Sequence, residues 1–294
     1  MPHERGRDPL NRARRAVRAA AHSPSAEVPA RDPRVREALR YPYPHPPHDY
    51  LYWRGRHFPL PAALPGAPLD HRLRAFAIGE DLPAGLRERL LEDATDGIAG
   101  LARRHAVLAC GSNQSPERLA RKFRDCRDAL VPVTRITIHE HAVFHAAVLT
   151  RYGAVAATIA SCPGAAADIA ITWLTDEQLA VMNATEDIGD IYELSRLAAD
   201  HLSHHDHPLP YYRAIRGLFA PDGVAVALAG IAQILPAHVP VAGQGEMLLA
   251  AHRLVGARHV PDFENFVIRL IEDAPFRRAC EEELGERFAV IPAG

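Results

Sequence analysis

Residues 106–123, Ala-Val-Leu-Ala-Cys-Gly-Ser-Asn-Gln-Ser-Pro-Glu-Arg-Leu-Ala-Arg-Lys-Phe, pass from an apolar run through a Gly-Ser-Asn turn into a capped helix. Val107 and Leu108 have the bulk of a strand, Gly111 supplies backbone freedom, and Ser112 and Asn113 favour a turn because their side chains bond nearby backbone. Ser115 reads as the N-cap and Pro116 as the first helical residue, where its missing N–H costs nothing. Leu119 and Phe123, four apart, give the helix a buried face. A strand that turns directly into a helix points backbone N–H groups and the positive end of a dipole at one spot, which suits a carboxylate or a developing oxyanion. Many α/β proteins make the same turn with no ligand, so the junction predicts a pocket only in company with other groups.

Such a group follows. Residues 167–194 read as a strand ending near Leu174, a capping box of Thr175 with Gln178, a short helix, and then Glu186. Leu179 and Met182 are spaced to bury one helix face, and Glu186, seven residues after Leu179, falls on that inward side if the helix reaches it. A carboxylate aimed inward is costly unless it is paired or used.

Together the two segments resemble the gamma-glutamylcyclotransferase-like superfamily, over roughly residues 105–235. Its members carry an aromatic-Gly-Ser-Asn loop after the first strand, and later a Leu, Glu, Tyr passage whose Glu is the catalytic acid/base. The matching positions are Gly111, Ser112 and Asn113 for the loop, Glu186 for the acid/base and Tyr192 for the tyrosine. Cys110 stands where the family usually has an aromatic residue and Gln114 where it often has Leu, departures that bear on substrate class more than on fold.

The resemblance implies an α/β (α+β) fold built on a small mixed β-barrel with flanking helices. It implies an enzyme that releases 5-oxoproline from a gamma-glutamyl amide by intramolecular aminolysis. Glu186 would be catalytic. Cys110, Gly111, Ser112, Asn113 and Tyr192 would bind substrate, the loop amides holding an oxyanion or the α-carboxylate. No cofactor is expected, because the attacking amine is already tethered within reach of its carbonyl. Two other readings remain open: a non-catalytic ligand-binding or interaction module, and an amide hydrolase with Cys110 as nucleophile and His141 or His145 as its base.

Composition sets the bounds. A chain of 294 residues, 48% hydrophobic and 24% charged, can bury one large core with a satellite. No apolar run approaches the length of a membrane span, and the N-terminus lacks the apolar core of a secretory signal, so the expectation is a cytoplasmic protein. The four cysteines, Cys110, Cys126, Cys162 and Cys280, have no CxxC spacing and read as reduced thiols. A formal net charge of −2 argues against nucleic acid as a partner; the partner that the resemblance implies is a small-molecule gamma-glutamyl substrate. Lys122 is the sole lysine, which reads as a GC-rich coding bias. Composition leaves the oligomeric state open.

Residues 1–40, rich in Arg, Ala and Pro, read as a disordered arm, with Arg12, Arg14, Arg15 and Arg18 as a basic cluster that could meet an acidic surface. Residues 41–104 read as a Pro/aromatic strap followed by an amphipathic helix carrying Leu86, Leu90, Ile98 and Leu101. In the core, 105–235, the pattern from 131 to 174 predicts four strands joined by hairpins at Arg151-Tyr152-Gly153 and Cys162-Pro163-Gly164. Further strands are expected at 191–197, 211–217 and 224–231. Helices at 245–255, 262–273 and 275–287, within 236–294, are expected to pack outside the core.

Other clusters of polar residues carry weaker signals. Asp200, His201, His204, His205 and His207 offer metal-ligand types, with His201 and His205 at helical i, i+4 spacing, but with Pro208 beside them a solvated loop is the plainer reading and no metal is assigned. His139, His141 and His145 alternate along a strand pattern and should share a face. Gly243-Gln-Gly245-Glu246 lacks the P-loop Lys and the third dinucleotide glycine, so no nucleotide role follows.

Overall fold

The apolar runs between residues 130 and 174 fold as two strands of twenty residues each, on which the other elements are arranged. The computed structural model describes residues 28–61, 69–79, 81–95, 104–126 and 130–292. In chain order they form α1 (Pro33–Leu39), β1 (Tyr50–Trp53), β2 (Arg56–Pro59), α2 (Leu69–Gly79), α3 (Ala84–Thr95), β3 (His105–Ala109) and α4 (Pro116–Lys122). Next come β4 (Leu130–Leu149), β5 (Val155–Leu174), α5 (Asp176–Thr185), β6 (Tyr192–Leu197), β7 (Leu209–Ala214), β8 (Leu218–Phe219), β9 (Ala227–Leu228), β10 (Ala232–Ile234) and β11 (Val241–Ala242). The chain closes with α6 (Gln244–Ala251), α7 (Phe263–Glu272), α8 (Ala274–Arg287) and β12 (Ala289–Val290).

The protein is thus a mixed α/β fold with one large mixed sheet. Its main path runs β11-β9-β4-β5-β3-β7-β6, with β3 antiparallel to β5 and parallel to β7. Among the described residues this path is open rather than closed into a barrel: β11 has only β9 as neighbour and β6 only β7. Closure needs strands long enough to carry tilt and stagger all the way round, and β9 and β11 are two residues each.

The hairpin at Arg151-Tyr152-Gly153 forms as expected, with Gly153 at φ +80°. The one expected at Cys162-Pro163-Gly164 does not. Pairing passes from His139↔Ala166 to His141↔Ser161, so residues 162–165 face Glu140 alone and form a wide bulge inside a continuous strand. Gly164 takes φ +80° there and its N–H donates to the Glu140 carboxylate at 3.0 Å. The turn-forming residues were used to bend a strand instead of ending it.

The N-terminal part also departs from expectation. Residues 1–27 lie outside the described residues, but 28–40 are packed: Asp32 caps α1 by accepting from the Arg34 N–H at 2.8 Å, and Val35 and Ala38 are fully buried against the C-terminal helices. Small apolar groups suffice here because the partner surface is already built. Gly245, in the first turn of α6, leaves room for Val28, where a Cβ would collide, so this glycine serves packing. The strap is a hairpin, β1–β2, turning at Arg54-Gly55 with both φ positive. It is added to the edge of β4 (Tyr50↔Val133), while α2, not foreseen, and α3 cover its other side through Leu73, Phe76, Leu86 and Leu90. Ile98 and Leu101 lie outside the described residues. No helix among the described residues is long and apolar enough to cross a membrane.

The C-terminal helices form close to their expected bounds, capped by Asp262 (accepting from Asn265 N–H, 2.8 Å) and Asp273 (from Phe276 N–H, 2.9 Å). On α8, Glu281 is buried and accepts from the Leu149 N–H at 3.0 Å; burial pushes its carboxyl from the ordinary 4.5 up to about 7. A raised folded-state pKa gives stability that is complete below the unfolded value of 4.5 and is lost as pH rises to about 7. Glu281→Gln keeps an acceptor without the charge, so its Tm should fall less than the parent's between pH 5 and pH 8. Equal declines in thermal melts would remove Glu281 as the source.

Candidate functional site

β3 lies in the middle of the sheet, and its end delivers residues 110–115 between β5, α5 and the N-terminal strap. Ser112–Gln114 form one 3-10 turn, and Pro116 opens α4 with Leu119 and Phe123 buried, as the spacing predicts. Ser115 holds the N-cap position, though its hydroxyl makes no cap bond. Gly111 is needed for space and not for a left-handed angle: its φ is −116°, and a Cβ there would overlap the Tyr41 hydroxyl.

Gln114, the departure from the family pattern, is fully buried and wires the loop in place. Its Nε2 donates to the Cys110 carbonyl at 3.2 Å and its Oε1 accepts from Arg135 at 2.8 Å. Arg135 also binds Asp168, Nε to Oδ1 at 3.1 Å, and its N–H donates to Asp49 at 2.6 Å. Tyr50 of β1 donates to the Gln114 carbonyl at 2.9 Å, tying the strap to the same loop.

The capping box forms as expected: Thr175 Oγ1 accepts from the Gln178 N–H at 3.3 Å and Gln178 Oε1 from the Thr175 N–H at 3.1 Å. α5 stops at Thr185, so Glu186 is its C-cap, with its side chain turned inward and 13% exposed. Glu186 Oε1 accepts from Asn113 Nδ2 at 3.0 Å and from Lys122 Nζ at 2.5 Å; Lys122 Nζ also donates to Thr185 Oγ1 at 2.5 Å.

These groups border a cavity of about 410 Å³, and all six residues expected at the site, Cys110, Gly111, Ser112, Asn113, Glu186 and Tyr192, line it. Tyr192 makes no hydrogen bond to Glu186. Its hydroxyl donates to the Ala157 carbonyl at 3.3 Å, and burial holds its pKa well above the usual value, so it is a neutral wall residue while Asn113 orients the carboxylate. Tyr41 and Tyr152 stack at 6.4 Å and form another wall, with the Tyr152 hydroxyl donating to Ser112 Oγ at 3.4 Å. Arg118 is held between Tyr43 and Tyr152, its guanidinium 4.8 and 4.2 Å from the ring centres. Five cationic side chains (Arg118, Arg121, Lys122, Arg124, Arg151) and two carboxylates (Glu186, Asp187) line the cavity, a balance that favours an anionic ligand.

The cysteine reading finds no base. Burial pushes the Cys110 thiol up to about 12, and among the described residues no histidine lines the cavity. His145 is buried elsewhere, its Nε2 3.0 Å from the Ala242 carbonyl and its pKa lowered by burial to about 4; His141 packs on His201, ring centres 4.6 Å apart. The bulge at Glu140 interrupts the alternation between His139 and His141, while His141 and His145, in unbroken register with Ser161 and Ala157, keep one side of β4. His201 ends a 3-10 turn and His205 lies in the loop beyond, so they share no helix, and no group of three or more potential metal ligands occurs among the described residues.

Sequence reasoning missed Lys122, Tyr41, Tyr152 and Arg118. Lys122 had a signal: it is the only lysine and ends the helix that the Gly-Ser-Asn loop begins. Comparison of the chain with protein-family models, curated proteins and solved structures finds no match in any of the three.

Proposed function

We propose that this protein is a gamma-glutamylcyclotransferase-like enzyme that converts a gamma-glutamyl amide to 5-oxoproline and a free amine. The observation that carries the reading is the inward Glu186 carboxylate, oriented by the Asn113 amide at 3.0 Å in the cavity that also holds the 110–113 loop. The substrate's α-amino nitrogen attacks its own γ-carbonyl as Glu186 takes the proton; the departing nitrogen gains one, which protonated Glu186 can return. Loop amides at the start of the 3-10 turn lack partners within it and are available to the oxyanion. Arg118 is placed to meet the α-carboxylate. On this reading β3, β4, β5 and β7 correspond to the family's small barrel, and a reducing cytoplasm suits four unbridged cysteines.

The test is a screen of gamma-glutamyl amino acids and gamma-glutamyl amines with the purified protein. We expect 5-oxoproline and free amine in equal amounts from at least one class, and no release from any would sink the reading. A second reading, binding without turnover, is favoured by the Lys122–Glu186 ion pair, which a binding site can keep with no proton moved. A gamma-glutamyl compound that binds and emerges unchanged would establish it.

A further inference from the structure

Of the chain's 34 basic residues only Lys122 is lysine, and it stands in the cavity wall, its side chain 9% exposed, in contact with Glu186. Wherever else this chain carries a basic side chain of that kind it uses arginine, including Arg118, Arg121, Arg124 and Arg151 around the same cavity. A guanidinium supplies charge as well as an ammonium does and matches carboxylates better; what it does not do is give up a proton, which an ammonium can. A coding bias toward arginine therefore makes this one lysine informative, because charge alone does not require it. Of its three N–H donors, one is directed to Glu186 Oε1 and one to Thr185 Oγ1, which leaves one for a ligand in the cavity. Both donors to Glu186 converge on Oε1, leaving Oε2 to take a proton.

We propose that Lys122 is the general acid of the cyclisation, an inference that rests on the reading of the site given above. In the tetrahedral intermediate the attacking and departing nitrogens sit on one carbon, so neighbouring groups can serve one each. Glu186 removes the proton from the attacking nitrogen, and the Lys122 ammonium gives one to the departing nitrogen as the C–N bond breaks. The neutral lysine, whose Nζ lies 2.5 Å from Oε1, then recovers its proton from Glu186 once the carboxyl turns to present its protonated oxygen to Nζ. No proton is gained or lost over the cycle, and both groups are reset without solvent.

Leaving-group dependence tests this. The nitro group makes a 4-nitroanilide a far better leaving group than an alkylamide, so its departure depends much less on a proton donor. The readout is the ratio of gamma-glutamyl-4-nitroanilide to gamma-glutamyl-alkylamide turnover on one protein preparation, which is independent of the fraction folded. In Lys122→Arg, and in Lys122→Met, that ratio should rise about 10²-fold or more, the usual worth of acid catalysis. An unchanged ratio, a full alkylamide rate in Lys122→Arg, or loss of nitroanilide turnover in both variants would overturn the role, since arginine would serve a lysine needed only for charge. The parent chain should turn over both substrates and Glu186→Gln neither. Failure of that pair overturns the cyclisation reading itself, whereas an unchanged ratio overturns only Lys122.

Discussion

Glu186→Gln should abolish 5-oxoproline release while leaving the fold intact. The amide has nearly the same volume, and its oxygen can still accept from Asn113, which now donates at 3.0 Å. What it loses is the ability to take up a proton at neutral pH. Acid–base help of this kind is worth about 10²–10⁴-fold in rate, so a loss of that order or more is expected in kcat of the folded variant, whose Tm falls only by what the lost charge partner of Lys122 costs. Binding of a gamma-glutamyl compound, followed by calorimetry, should survive, because the loop amides and Arg118 are untouched. Near-normal turnover in the variant would mean that another group is the base and that the alignment of this carboxylate with the family's catalytic Glu is wrong.

What could be read in the chain was local. The turn after β3, Pro116 at the first position of α4, the Thr175–Gln178 capping box and the three C-terminal helices are each specified within a few residues, and each formed near its expected place. The two motifs also brought Glu186 and the loop to one cavity. What could not be read depends on residues far apart. The sequence gives no sign that Tyr41 fills the space over Gly111, 70 positions later, or that Gln114 is bound by Arg135. The Cys162-Pro163-Gly164 turn signal was real chemistry put to another use, because β4 and β5 stay paired on both sides of the bulge, in shifted register, and that pairing outweighs the local tendency to reverse. Residues 33–39 looked too poor in large apolar groups to order, yet Val35 and Ala38 needed only a matching surface on α6 and α7.

The largest stability effect should come from Arg135, whose side chain is 8% exposed and binds Asp168, itself 5% exposed, together with Gln114. Arg135→Met retains much of the volume and removes a guanidinium that helps to compensate a buried carboxylate. Breaking a buried pair from one side costs about 3–5 kcal/mol, whereas an exposed pair such as Arg40–Glu117 (46% and 36% exposed) is worth at most about 1 kcal/mol. At about 2–4 °C per kcal/mol for a chain of this order of size, Arg135→Met should lower Tm by roughly 10 °C while Arg40→Met shifts it by a few degrees at most. Converting the partner as well, in Arg135→Met with Asp168→Asn, should recover part of the loss, since a neutral amide is far cheaper to bury than a carboxylate. The double variant should not recover turnover to the same extent: Gln114 would still lack the donor that fixes its Oε1, and through Gln114 the Cys110 carbonyl at the head of the loop would lose its anchor. A single variant as stable as the parent would show that the pair is solvated in solution. A double variant with full turnover would show that the loop holds its shape without Arg135.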